Sequence, residues 1–232
     1  MIELRPFAGL GGANHGWLDT RHHFSFAEYH DPARMHWGDL RVWNDDVIAP
    51  GTGFPAHPHR DMEIITYVRT GAISHMDSLG NKGRTQAGDV QVMSAGSGIR
   101  HAEYNLEDEP CTLFQLWIIP SESGGEPSWG TRPFPKGDRS DRFVTLASGF
   151  AEDADALPIR TRARVVAATL KAGETVTYPL GADRSGYLVP ATGSVKLGDV
   201  VVNARDGAAI SQVEQLEVTA LEDSEVVLVD AS

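Results

Sequence analysis

Two short segments set metal-ligating side chains at strand spacing: His57-Pro58-His59 and, about forty residues later, His101-Ala102-Glu103. In a β-strand, residues two apart share a face. Two strands lying opposite each other can therefore aim three imidazoles and one carboxylate at a common point. Three nitrogens and one oxygen suit a borderline first-row divalent ion, and histidine is the commonest protein ligand for such ions. All nine histidines fall within the first 101 residues, which confines such chemistry to the N-terminal half. Pro58 biases His57 toward an extended backbone, and proline inside a strand belongs at an edge or bulge, as at the mouth of a site. Glu63 shares the parity of His57 and His59, so it competes with Glu103 for the carboxylate position. Four protein ligands would leave a coordination position open, which separates a catalytic metal from a structural one.

The other reactive residue types read more plainly. His75-Met76-Asp77 is a third i, i+2 pair, in a hairpin arm before the turn Ser78-Leu79-Gly80-Asn81-Lys82-Gly83, and a structural role is expected of it. His15, His22, His23, His30 and His36 are scattered among Trp17, Phe24, Phe26, Tyr29 and Trp37. That segment is expected to pack over a barrel or line its mouth. Arg160, Arg162 and Arg164 alternate as on a solvated strand face. Gly80-Asn81-Lys82-Gly83 is a hairpin turn rather than a phosphate-cradling loop. Gly96-Ser97-Gly98 lacks the spacing of a nucleophile elbow.

Composition bounds the rest. A chain of 232 residues with 41% hydrophobic and 22% charged residues is ordinary for a globular protein of one large or two small domains. A net charge of −12 argues against direct nucleic-acid binding, which needs Lys and Arg on phosphates. The single cysteine, Cys111, cannot form an internal disulfide and adjoins the apolar run Thr112 to Trp117, so a buried, inert thiol is expected. Met1 to Pro6 lacks the apolar core of a signal peptide. No apolar run approaches the roughly 20 residues that span a bilayer. A soluble, cytoplasmic protein with no membrane contact is the expectation.

The elements that must position the histidines are strands. Twenty-four glycines and 13 prolines punctuate short β-branched or alternating runs: Leu40 to Trp43, Glu63 to Val68, Asp89 to Met93, Leu113 to Ile119, Arg164 to Leu170, Val200 to Val202 and Glu225 to Val229. Such spacing predicts a β-sandwich or barrel rather than alternating β-α units. Only Asp31-Pro32-Ala33-Arg34 offers a helical start. Residues 120 to 142, rich in Pro, Gly, Ser and charge, read as a connector. The halves also echo each other at an ungapped offset of 122. In that register Pro179 replaces His57, Gly181 replaces His59 and Ser185 replaces Glu63. A duplicated fold whose first copy alone kept ligating side chains accounts for the histidine asymmetry.

These residues resemble a known family. Gly51 through His57, His59 and Glu63 resembles the first cupin motif, and Gly88-Asp89-Val90-Gln91-Val92-Met93 followed by His101 and Asn105 resembles the second. With His57-Pro58-His59-Arg60-Asp61-Met62-Glu63, Gly98-Ile99-Arg100-His101-Ala102-Glu103 and the upstream His23-Phe24-Ser25-Phe26 and Leu40 to Asp46, the chain looks like the pirin family, and its length is nearer to the bacterial members. The resemblance implies an all-β bicupin: two tandem jelly-roll β-barrels, residues 1–133 and 134–232, with metal in the first only. It favours His57, His59, His101 and Glu103 as ligands of one divalent transition metal, iron(II) foremost, with copper, nickel, manganese, cobalt or zinc also compatible. It leaves Glu63 as a carboxylate that supports the ligands or is satisfied within the core. It further implies a quercetin 2,3-dioxygenase acting on a flavonol and O2 with release of carbon monoxide, Glu103 serving as catalytic base. A non-enzymatic, iron-containing regulatory protein with a protein partner, and a cupin enzyme of another small molecule, are the readings set against it.

Overall fold

The computed structural model describes residues 1–232, the side chains of Lys136 and Asp138 excepted. Every strand expected from the sequence forms, with the same bounds or with ends moved by up to five residues: Leu40–Ile48, Glu63–Thr70, Val90–Ser94, Cys111–Ile118, Arg164–Leu170, Val200–Asn203 and Ser224–Ala231. The one helical start becomes a single 3-10 turn, Pro32–Arg34, capped where Asp31 Oδ1 accepts from the Ala33 amide at 2.9 Å.

Four sheets make two β-barrels. The first barrel pairs a seven-stranded sheet, in the order Ser128–Arg132, Val90–Ser94, Glu63–Thr70, Cys111–Ile118, Leu40–Ile48, Leu18–His22, Gly11–Asn14, with a four-stranded sheet, in the order Thr52–His59, Ile99–Asn105, Ala72–Asp77, Lys82–Gln86. The second repeats the plan. The offset of 122 holds through the first strands, where Glu63–Thr70 becomes Ser185–Thr192 and the strand ending at Ile48 becomes the one ending at Leu170, and shorter turns in the second half reduce it to 113 by the last pair, Cys111–Ile118 and Ser224–Ala231.

Two features lie outside what the sequence showed. Residues 120 to 142 are more than a connector, because Ser128–Arg132 pairs with Val90–Ser94 as an edge strand of the first barrel. The opening strand, Ile2–Arg5, pairs with Gly207–Ser211 in the large sheet of the second half. The chain thus stitches its two barrels together from the start.

The large sheets pack face to face. Trp43, Ile65, Tyr67, Phe114 and Leu116 of the first meet Val165, Ala167, Tyr187, Val189 and Val227 of the second in one apolar core. At roughly 25 cal/mol per Å² of apolar surface removed from water, burial on this scale is the main force joining the barrels. Buried Asp45 adds a polar lock, accepting from Arg69 of its own barrel and from Arg205 Nε of the other at 2.5 Å.

The interiors differ. The second barrel is filled by a continuous apolar cluster that includes Val166, Val176, Leu188, Val195, Leu216 and Leu228. In the first, two smaller clusters, one around Ile48, Val68 and Ile73 and one around Ile64, Met93 and Ile99, leave a polar zone in the barrel. The candidate site occupies that zone.

Candidate metal centre

Strand register brings the two sequence motifs together. Ile99–Asn105 lies between Thr52–His59 and Ala72–Asp77, so His101 faces His57 on one side and Asp77 on the other. The register slips by one residue between His101 and Glu103 on the His57 side, a β-bulge that sets Glu103 opposite Phe54. Gly53 is required beside it, since a Cβ there would lie 2.1 Å from the Glu103 carbonyl oxygen.

One ring nitrogen each of His57, His59 and His101 lies within 4.8 Å of the others. His57 Nδ1 donates to the Pro55 carbonyl at 2.7 Å, which turns Nε2 toward His101 Nε2 at 3.1 Å. On the far side, Asp77 Oδ2 accepts from His75 Nε2 at 3.0 Å, and His75 Nδ1 faces His101 Nδ1 at 3.5 Å. The Asp77 carboxylate can only accept, so His75 carries its proton on Nε2 and offers a lone pair to His101 Nδ1–H. The network thereby turns Nε2 of both His57 and His101 inward, with the proton of neutral His101 on its outer nitrogen. Outer ring nitrogens engaged by hydrogen-bond partners are how ligating histidines are oriented.

Electrostatics agree. Burial, then the neighbouring His57, His59 and His75, hold His101 down to about 2. Burial and His57 hold His59 down to about 4. Neither ring takes up a proton near neutrality, so both are free to ligate.

Glu103 is fully buried, and burial lifts its carboxyl to about 7 against the pull of bonds from Gln115, Gln91 and Thr66. Gln91 Nε2 donates to Oε1 at 2.6 Å and Gln115 Nε2 to Oε2 at 2.9 Å. Both amides are pinned, Gln91 Oε1 by the Thr85 hydroxyl at 3.1 Å and Gln115 Oε1 by Trp117 Nε1 at 3.1 Å. Each must therefore present N–H to Glu103, which favours the carboxylate. Glu103 does not fall in the cluster of His57 and His59. It groups within 4.8 Å with His101 and His75, so two clusters share His101 without merging.

Glu63 enters neither cluster. It is buried and accepts from Ser94 Oγ at 2.6 Å and from the Arg160 amide at 3.1 Å, joining the two halves of the chain. His75 and Asp77, by contrast, belong to the site, and Trp129 stacks on His75 with centroids 4.7 Å apart and planes at 7°. The shared parity of His75 and Asp77 was their signal in the sequence. Gln115 carried a weaker one, a lone polar residue inside an apolar run. Cys111 is buried and its thiol is pushed up to about 12, mainly by burial, so it is inert.

Two openings flank the centre. An open groove along Pro58, His59, Arg60 and Arg100 lies on one side. A cavity of about 360 Å³ on the other reaches Phe54, which packs on His57 with centroids 6.2 Å apart, and Gln115, which holds Glu103.

A bicupin whose first barrel alone gathers histidines and a carboxylate, while its second is packed by an apolar cluster, is the class that fold and site define. A family model described as Pirin matches residues 4–118, and one described as quercetinase C-terminal cupin domain matches residues 145–231. The chain is 71% identical to a pirin-like protein of Caulobacter vibrioides over 232 residues, covering both chains entirely. It is 42% identical to a quercetin 2,3-dioxygenase of Escherichia coli K12, covering 99% of this chain and 98% of that one. Its fold superposes on the crystal structure of the bacterial pirin YhhW in complex with nickel(II) from Escherichia coli with a TM-score of 0.93 and 41% identity, covering 100% of this chain and 99% of that one. The chain belongs to the pirin family.

Proposed function

We propose that this protein is a metal-dependent dioxygenase that cleaves flavonols such as quercetin with O2 and releases carbon monoxide. The observation that carries the reading is the pair of inward-turned ring nitrogens of His57 and His101, 3.1 Å apart, beside a buried carboxyl and an aromatic-walled cavity. His57, His59, His101 and Glu103 would hold one divalent transition metal. Iron(II) leads, and the same donors accept nickel, copper, manganese, cobalt or zinc. When bound, such an ion supplies Lewis acidity and the electronics that reaction with O2 demands.

The chain's own residues do the rest. Glu103 would accept the proton of the flavonol 3-hydroxyl as general base. Gln91 and Gln115 hold its two oxygens in place, so the base is oriented before substrate arrives. The cavity keeps the flavonolate out of bulk water. The balance closes with no further reductant: the ring carbon bearing the 3-hydroxyl leaves as carbon monoxide, and both oxygens of O2 stay in the ring-opened ester.

Incubating metal-loaded protein with quercetin and oxygen tests this. One carbon monoxide per quercetin consumed is expected, and none overturns the reading. Glu103→Gln is expected to keep part of its metal and lose most turnover. Full turnover in that variant rules out Glu103 as the base.

A further inference from the structure

A row of buried polar side chains crosses five strands of the first barrel's large sheet in direct register. Gln91 faces Thr66, Thr66 faces Gln115, Gln115 faces Asn44, and Asn44 faces His22. The row divides in two. Gln91, Thr66 and Gln115 serve Glu103, as described above. Asn44 and His22, 4% and 2% exposed, do not: Asn44 Oδ1 and both ring nitrogens of His22 are buried without any hydrogen-bond partner. An unsatisfied buried polar atom costs about 1–3 kcal/mol, so three of them in one place require an explanation.

All of these atoms belong to residues that line the cavity reaching Phe54 and Gln115. Its volume of about 360 Å³ lies within the range of about 300–1,000 Å³ usual for small-molecule sites. Its walls include Trp17, Phe26, Tyr29 and Phe54, and Phe26 packs on His22 with centroids 5.2 Å apart. Aromatic walls with a few convergent polar atoms fit a flat ring carrying hydroxyl groups.

We propose that Asn44 and His22 are specificity-determining residues that accept hydrogen bonds from ring hydroxyls of a polyhydroxylated aromatic substrate, on the cavity wall that continues from Gln115 across two strands. Phe54 and Gln115 mark the reacting part of that wall, in contact with His57 and Glu103. Asn44 and His22 mark the part that reads which hydroxylated ring has entered. Burial, then Arg21 and His15, lower the His22 pKa, so the ring stays neutral and keeps one nitrogen as an acceptor. The assignment rests on the flavonol reading only for the choice of probe.

The test is anaerobic binding of quercetin and of 3-hydroxyflavone, which keeps the flavonol head but lacks the other hydroxyls, followed by tryptophan fluorescence. Wild type is expected to bind quercetin at least about tenfold tighter, the effect of one well-made hydrogen bond. Asn44→Leu and His22→Phe should each remove most of that ratio while leaving 3-hydroxyflavone affinity and metal affinity within about twofold. Neither replacement breaks a hydrogen bond of the replaced acceptor atoms, so both variants should melt at or above the wild-type temperature, whereas residues with a merely structural role would melt lower. A ratio near one in wild type, or an undiminished ratio in both variants, overturns the assignment. No turnover is needed, so binding with the expected ratio but no carbon monoxide would refute only the dioxygenase reading.

Discussion

His57 Nε2 and His101 Nε2 face each other across 3.1 Å, and the outer nitrogen of each ring is already engaged, one by the Pro55 carbonyl and one by His75. Burial and the neighbouring imidazoles keep His101 itself from taking up a proton. A divalent ion between them replaces a repulsive contact with two bonds. Loading with nickel(II) or iron(II) at a hundred times Kd should therefore stabilise the fold by about 2.7 kcal/mol, raising Tm by about 5–10 °C for a chain of this size. His101→Ala should show no such rise. A metal-dependent shift that survives His101→Ala would place the ion elsewhere.

Proton release on metal binding reports the carboxylate. With Glu103 near 7, most of the molecules carry a proton on that side chain at pH 6, while His59 and His101 carry none. Ligation requires the carboxylate, so titrating metal into weakly buffered protein at pH 6 should release close to one proton from Glu103, a contribution that falls toward zero by pH 8. Glu103→Gln should lower the release at pH 6 by that proton. Glu63→Gln should leave both release and stoichiometry intact, because Glu63 is bonded to Ser94 and the Arg160 amide. Equal release from wild type and Glu103→Gln would remove Glu103 from the ligand set.

Much of this was legible in the sequence, and the reasons are local. Strand periodicity is written residue by residue, so Glu63 to Val68 and Arg164 to Leu170 could be read directly, and the i, i+2 spacing put His57 and His59 on one face. What could not be read depends on which strands become neighbours. The exchange of Ile2–Arg5 into the second half's sheet is a pairing across some 200 residues, with no pattern of its own. His75 looked like a hairpin residue because its partner is chosen by the register of Ile99–Asn105. The row from Gln91 to His22 is scattered over five segments and becomes a row only when those strands align.

Asp77 acts on the metal through two rings. Its Oδ2 accepts from His75 Nε2, and the lone pair left on His75 Nδ1 orients His101. Burial alone would raise Asp77, but bonds from His75, Asn81 and Leu79 hold it below the usual carboxylate range. Asp77→Asn keeps an oxygen for the Leu79 and Asn81 amides yet can present N–H to His75, which reverses the tautomers. Loss of such an outer partner typically costs 10–100-fold in metal affinity, and that loss is expected here in a competition titration against a chelator. Unchanged affinity would show that the orientation of His101 is fixed without the relay.

His23 sets the acid limit of the joint between the barrels. It is fully buried, its Nδ1 lies 2.9 Å from the Tyr187 hydroxyl of the second half, and Arg5 crosses the Tyr187 ring 5.5 Å from its centroid. Burial, followed by the positive charge of Arg5, Arg34 and Arg205, lowers its pKa to about 3. The unfolded chain, with histidine near 6.5, binds a proton through the window from about 6.5 down to 3 that the folded chain refuses. Stability contributed by this group is complete above 6.5 and declines as pH falls, by about 2 kcal/mol between pH 6.5 and pH 5. His23→Asn, which sets an amide oxygen near the Nδ1 position, should lower stability at pH 7 yet flatten its decline toward pH 5 by about that amount in urea unfolding. Parallel pH profiles for wild type and His23→Asn would show that acid opens the molecule somewhere other than this joint.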